Sequence, residues 1–423
     1  MEVGLIALAL ILLAMAGAPL FVIIAAAALI GFHYSDVDPA VVTIEIYRIT
    51  DTPLLLALPL FTFAGYLLSE SNTSQRLVRL SRSLLGWLPA ELVMVTLLAC
   101  ALFTAFTGAT GVTIVALGAL LYPALKQIGY SDRFSLGLVT TAGSLGLLLP
   151  PSLPLILYAI VVQQMNLGDP FSITDLFIAG ILPTLLMLFM LGIWALWVTR
   201  KDVIPLQPFD RKEAWAAIVA TRWELPLPVF VLGGIYSGLF AVSEAAAVTA
   251  LYVLVVEIFF YKEIRFRDLS RIAQESMTVV GGILLILGIS LAFTNFLIDA
   301  EVPASLFEWT QQHISSKYTF LAVLNIVLLI LGAFLDIFSA LVIMVPLLLP
   351  VAIGYGINPV HLGIIFLANM QLGYLTPPVG INLFIASYRF DRSIEDIYRA
   401  TIPMMLVLLV AVLIITYFPL LYY

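Results

Sequence analysis

Two proline pairs constrain this chain more than any other feature. Pro150-Pro151 and Pro377-Pro378 each stand near the middle of an apolar segment, 134–162 and 362–387, long enough to cross a membrane. Proline inside a helix removes a backbone donor and clashes with the preceding turn, so both segments are expected to break at their centres. A single proline in a span would usually mean a kink. Two adjacent prolines preceded by glycine (Gly146 and Gly373), at matching sites in both halves, favour true breaks. Irregular backbone at membrane depth survives only where protein buries it or where it lines a polar cavity. A broken helix sets the carbonyls of one half and the amides of the other at mid-membrane, groups suited to a cation and to a carboxylate.

That these segments lie in a membrane follows from composition. Of 423 residues, 62% are apolar and only 11% charged, against about 25% in a soluble domain. No water-soluble fold covers so much apolar surface. The formal charge of −7 is small and scattered, which argues against nucleic acid. A lone Cys100 excludes a disulfide framework or an iron–sulfur cluster within one chain. His33, His313 and His361 make no zinc set, and no lysine follows a glycine as a phosphate-binding GK[ST] loop requires. No Lys or Arg precedes Arg48, so the apolar run Val3–Phe32, interrupted by Gly17-Ala18-Pro19, is read as mature protein rather than as a secretory signal.

The cations place the loops. Seventeen of the 19 Lys and Arg fall in five clusters: 76, 79, 82; then 126, 133; then 200, 201, 211, 212, 222; then 262, 265, 267, 271; and 389, 392, 399. The other loops, near 33–52, 163–175, 299–317 and 351–361, hold only Arg48 and Lys317 among acidic residues. Basic loops stay in the cytoplasm. Ordinary solvated charge explains each cluster alone but not their alternation. The expected path has short paired crossings at 3–16/19–32 and 225–240/242–258, and single crossings at 53–70, 176–198, 272–298 and 401–421. Segment 88–125 begins and ends on the basic side and reads as a re-entrant hairpin. Segment 318–350 begins and ends on the acidic side and reads as a second one, oppositely oriented.

An internal repeat supports the reading. At a constant offset of 227, Leu120-Leu121-Tyr122-Pro123 aligns with Leu347-Leu348-Leu349-Pro350 and Gly129 with Gly356. Leu145-Gly146-Leu147-Leu148-Leu149-Pro150-Pro151 aligns with Leu372-Gly373-Tyr374-Leu375-Thr376-Pro377-Pro378. Apolar chains match by chance easily, but Gly and Pro in register are harder to dismiss. An odd number of crossings between the copies makes them an inverted repeat of the secondary-transporter kind. The fold class expected is an all-α polytopic membrane protein with two re-entrant hairpins and two Pro-Pro-broken helices. Its parts are 1–87 and 225–317 (scaffold), 88–198 and 318–423 (transport elements), and 199–224 (cytoplasmic connector).

The hairpin tips face the breaks. The first tip, Phe106 to Thr113, is small and hydroxyl-rich, which by itself would suit close helix packing. The second holds Asp336, which costs on the order of 3 kcal/mol at membrane depth unless a cation, backbone amides or a proton compensates it; capping the next helix half is the plainer role. Two sites for a small cation are expected, one from Thr107, Gly108 and Thr110 with Gly146 and Pro150, the other from Asp336 and Ser339 with Gly373, Thr376 and Pro377. No arginine lies at the centre of a span. A substrate carboxylate is therefore expected at the half-helix amides around Pro151, Ser152, Pro378, Val379, Gly380 and Asn382, facing Thr107, Gly108 and Thr110.

Over essentially its whole length the chain resembles the large membrane subunit of the tripartite ATP-independent periplasmic (TRAP) transporters. The resemblance is carried by Pro59-Leu60-Phe61 with Ala64-Gly65, by Arg76-Leu77-Val78 with Gly86-Trp87-Leu88-Pro89, by Thr107-Gly108-Ala109-Thr110, and by Leu149-Pro150-Pro151-Ser152. It continues with Gly233-Gly234-Ile235-Tyr236-Ser237-Gly238, Glu244-Ala245-Ala246-Ala247, Asp336, and Leu375-Thr376-Pro377-Pro378-Val379-Gly380-Ile381-Asn382. The first tip departs from the family's serine-rich form, and Ala109 has no side-chain ligand to offer. The resemblance implies sodium-driven uptake of an organic acid (C4-dicarboxylate, sialic acid or sulfonate type) across the inner membrane by an elevator mechanism. It further implies a small four-helix membrane subunit and an extracytoplasmic substrate-binding protein as partners. A single-chain sodium–dicarboxylate symporter of related fold is the alternative. An intramembrane aspartyl protease would need a second facing Asp, and a channel a ring-forming filter.

Overall fold

A computed structural model describes residues 2–85, 87, 90–165, 167–168, 170–200 and 209–419. Gly86, Leu88 and Pro89 of the resemblance, Asp169 and Lys201 lie outside the described residues. Among those described, all regular secondary structure is helical. Eight helices are long and apolar enough to cross a membrane: Pro53–Glu70, Thr110–Ile128, Ile173–Thr199, Val242–Phe260, Phe266–Asp299, Lys317–Phe334, Ile337–Gly354 and Ile394–Tyr417. The chain is a multi-pass membrane protein. Shorter helices accompany them. Glu2–Met15 and Leu20–Tyr34 meet at Gly17 and Pro19, and Pro226–Tyr236 precedes Val242–Val255 across a turn whose Ala241 amide is capped by Glu244 at 2.9 Å.

The repeat persists in the helices. In the first half, helices begin at Glu91, Thr110, Asp132 and Leu153; in the second, at Lys317, Ile337, Pro359 and Ile381. Each start lies within a residue or so of the 227 offset. Both proline pairs fall between helices, Asp132–Ala142 and Leu153–Met165 in one half, Pro359–Gly373 and Ile381–Phe390 in the other, and both Pro-Pro bonds are cis. Pro359–Gly373 is buried at every position except Val360. A helix apolar on all sides must be enclosed by others, so the broken helices form the centre of the molecule.

Several stretches read as loops are helices instead: Ala40–Arg48, Thr73–Leu85, Arg211–Ala220 and Val302–His313. Their place between spans is read from charge, but each also carries apolar residues that can lie on a packed surface. In Thr73–Leu85, Arg76, Arg79 and Arg82 recur every third residue while Leu80 is buried and Leu77 and Val78 pack on the core. A charge-based reading finds where such a segment sits and misses that it is folded.

Candidate functional site

The first tip is a tight reversal between helices Glu91–Thr107 and Thr110–Ile128. Gly108 takes φ +64°, left-handed geometry that favours glycine, and its amide donates to the Thr104 carbonyl at 2.8 Å. The tip lies on the first break. A Cβ on Gly108 would come within 2.5 Å of Leu153, and one on Gly146 within 2.2 Å of the Ala101 carbonyl oxygen. The Thr104 hydroxyl bonds the Gly143 carbonyl at 2.9 Å and the Thr113 hydroxyl at 2.7 Å. Thr107 turns its hydroxyl back to the Phe103 carbonyl at 3.0 Å. Pro150, Pro151 and Ser152 are buried, and the Ser152 hydroxyl is engaged by the Leu147 carbonyl.

The second tip lies on the second break. Gly332 and Gly373 touch backbone to backbone, since a Cβ on Gly373 would stand 2.5 Å from the Gly332 Cα. The Gly380 amide donates to the Ala333 carbonyl at 2.9 Å, and the Ile337 amide to the Tyr374 hydroxyl at 2.6 Å. Asp336 caps the helix that follows. One oxygen accepts the Phe338 and Ser339 amides, both at 3.0 Å, and the other takes the Ser339 hydroxyl. Backbone amides are thus among its partners. Thr376 bonds the Leu372 carbonyl at 3.1 Å, leaving its oxygen lone pairs uncommitted. This break is the more open of the two, with Pro378 exposed and Thr376, Pro377 and Val379 half-buried.

A buried hydrogen bond joins the first tip to the second break. The Thr110 hydroxyl, on the first tip, donates to Asn382 Oδ1 at 2.7 Å, one residue into the helix that follows the second break. Both residues are buried, and Asn382 Nδ2 has no hydrogen-bond partner. Unpartnered buried donors are rare because each carries its full desolvation cost. The amide therefore offers two hydrogens beside helix-terminal backbone N–H groups, a set of donors matched to a carboxylate. Among the described residues no Lys or Arg side chain hydrogen-bonds to the pair.

A cavity of about 640 Å³ is lined from Gly111 and Phe384 onward, one and two residues beyond the members of this pair. Gly111, Val112 and Val115 wall it from the first tip's helix, Phe384, Ile385 and Tyr388 from the helix after the second break, and Tyr66, Ser69, Glu70 and Glu275 from two scaffold helices. Arg271 bridges the two carboxylates, at 2.5 Å from Glu70 and 3.0 Å from Glu275. The cavity thus lies between the helices of the first tip and second break and the spans Pro53–Glu70 and Phe266–Asp299.

Each tip packs on its own break, while Pro151 and Ser152 are buried and do not line the cavity. Sequence reasoning passed over Thr104 and Tyr374 and made no use of Thr113. Thr104 and Thr113 stand three residues before Thr107 and three after Thr110, on the same helix faces as those tip hydroxyls. That spacing was the available signal.

Comparison with known proteins accords with this geometry. Residues 5–421 match the family described as "Tripartite ATP-independent periplasmic transporter, DctM component". The C4-dicarboxylate TRAP transporter large permease protein DctM of Pseudomonas aeruginosa is 34% identical, covering 89% of this chain and 87% of that protein. The isethionate TRAP transporter permease protein DctMQ of Oleidesulfovibrio alaskensis is also 34% identical, covering 86% of this chain and 57% of that longer protein. The solved structure of the Alcanivorax borkumensis YdaH transporter superposes with a TM-score of 0.62 at 14% identity, covering 89% and 86% of the two chains; at that identity it shows the fold alone. The relatives are transporter permeases, not enzymes, and the chain belongs to the DctM component family of TRAP transporters, whose members are large membrane subunits for organic-acid transport.

Proposed function

We propose that this chain carries a small organic acid into the cell, driven by sodium, as the transport subunit of a binding-protein-dependent system in the plasma membrane. The observation that carries the reading is the Thr110–Asn382 pair with its unpartnered Nδ2, because it offers carboxylate donors without a buried arginine. Such a site recognises charge more than shape. Selection among acids then falls to an extracytoplasmic binding protein, with a small four-helix membrane subunit completing the assembly. Named relatives that transport a C4-dicarboxylate and isethionate support an anionic substrate with few carbons.

Sodium is placed at the two tip-and-break junctions, where hydroxyls and helix-end carbonyls supply hard oxygen ligands. The first draws on Thr107, Gly108, Thr110, Gly146 and Pro150, and the second on Asp336, Ser339, Gly373, Thr376 and Pro377. In the elevator reading the tips and broken helices move as one block against the scaffold. Their mutual packing and the cavity between them and the scaffold support that division. With the basic segments in the cytoplasm, the cavity is an inward-facing exit.

The test is uptake in liposomes. The two membrane subunits alone should transport little and gain uptake when the cognate binding protein and a sodium gradient are supplied. Robust, selective uptake by this chain with no soluble protein would instead establish a single-chain symporter.

A further inference from the structure

The cytoplasmic-end helix Thr73–Leu85 is fastened to the scaffold by a single arginine among three carboxylates. Arg76 Nε meets Glu224, Nη1 lies 2.5 Å from Glu263, and Nη2 lies 3.4 Å from Glu257. The guanidinium stacks on the Tyr261 ring at 3.8 Å. These partners come from the turn after Arg211–Ala220, from the end of the span Val242–Phe260 and from the turn that follows it. The side chains are 11% exposed for Arg76, 6% for Glu224, 0% for Glu257 and 19% for Glu263. Three carboxylates, Glu224 and Glu257 buried and Glu263 half-buried, therefore share one guanidinium.

They are not equally compensated. Glu224 also receives the Tyr261 hydroxyl at 2.5 Å, and Glu263 receives the Asn72 amide at 2.7 Å on its second oxygen. Glu257 has the least. Its Oε1 takes the Thr73 hydroxyl at 3.3 Å and the long contact from Arg76, and its Oε2, fully buried, has no hydrogen-bond partner. An ionised carboxylate left so is costly, several kcal/mol in a dry setting. A neutral acid keeps only the smaller cost of an unpaired carbonyl oxygen. The groups facing it are Arg76 and Thr73 from one helix and Glu224, Tyr261 and Glu263 from the turns; Glu70, on the neighbouring span, is turned to Arg271.

We infer that Glu257 is held as a neutral carboxylic acid, so that the Arg76 cluster is a proton-loaded clasp pinning the helix Thr73–Leu85 to the scaffold. The proton keeps a third negative charge out of contact with Glu224 and Glu263. Its removal from the basic-segment side drives the carboxylates apart and loosens the helix that leads into the first tip. The clasp weakens as pH rises.

Infrared spectroscopy of the folded protein at neutral pH should show a protonated-carboxyl band that disappears in Glu257→Gln. Glutamine is close in shape to the neutral acid, so this variant should fold and keep its thermal transition, and that transition should no longer fall on the alkaline side as the wild type's does. Glu224→Gln should be crippled. In the uptake assay, Glu257→Gln should stay within about twofold of wild type while Glu224→Gln falls about tenfold, the scale of a lost charge-assisted hydrogen bond. A Glu257→Gln protein that fails to fold, or a wild type without the band, overturns the inference. The rate comparison rests on the transport reading; the infrared and thermal measurements do not, so the two can fail separately.

Discussion

Thr110 and Asn382 are 272 residues apart in sequence, and a 2.7 Å hydrogen bond joins them inside the protein. The bond ties the tip of one repeat to the broken helix of the other and leaves Asn382 Nδ2 unpartnered. The two halves therefore meet at this pair, which takes one residue from each.

Thr110→Val should strand Asn382 Oδ1 and cost about 1–3 kcal/mol, the penalty for an unsatisfied buried acceptor. Asn382→Leu removes the free donor as well and should weaken substrate affinity more. A double-mutant cycle on the KM for uptake should show coupling, since the residues touch. Additive losses would mean that the pair does not act together on substrate.

Asp336 offers a separation of capping from cation binding. Asp336→Asn keeps a side-chain acceptor for the Phe338 and Ser339 amides, so folding should be nearly unchanged, whereas Asp336→Ala should lose about 1 kcal/mol as a cap. If the carboxylate also serves sodium, Asp336→Asn raises the sodium concentration for half-maximal uptake. Unchanged sodium dependence leaves Asp336 a cap alone.

Thr376→Val, a near-isostere, deletes the only hydroxyl between Tyr374 and Gly380 that lies outside the tyrosine ring. Its bond to the Leu372 carbonyl is a helix-end contact of small worth, so thermal stability should hold. The sodium requirement should rise. A titration of uptake against sodium decides whether Thr376 belongs to the site.

The tip-and-break packing should tolerate no side chain. Gly146→Ala meets the Ala101 carbonyl and Gly373→Ala meets Gly332, and each should cost about 1–3 kcal/mol from overpacking. Gly281→Ala, with nothing within 4 Å, is the control and should be neutral or stabilising. Thermal unfolding in detergent measures all three.

Orientation is checked by cysteine labelling in a Cys100→Ala background. A cysteine at exposed Glu308 should react from outside, and one at exposed Arg211 only after permeabilisation. Reaction of both from one side would invert the positive-inside assignment.

Much of the architecture is written in local chemistry. Low charge places the spans, and paired prolines interrupt helices wherever they fall, so breaks at Pro150-Pro151 and Pro377-Pro378 follow from steric rules that need no partner. Glycine and proline in register at an offset of 227 likewise announce two copies of one unit, and the helix starts bear this out. The charged connecting segments were read only for their sign. Their folding into helices such as Thr73–Leu85 depends on having an apolar surface to lie on, which composition does not supply.

Pairing across the chain was decided by tertiary packing. Asp336 as a lone carboxylate allowed a cation, amides or a proton, and the start of the helix at Ile337 brought two amides to it. The Thr110–Asn382 bond and the Arg76 clasp join residues 272 and 148 to 187 positions apart. Helical periodicity reaches three or four residues and repeat symmetry relates each residue only to its own copy. Contacts between one copy's tip and the other copy's break, or between a charged helix and distant carboxylates, arise only when the helices pack, because burial alone makes an unpaired donor or a surplus carboxylate costly enough to matter.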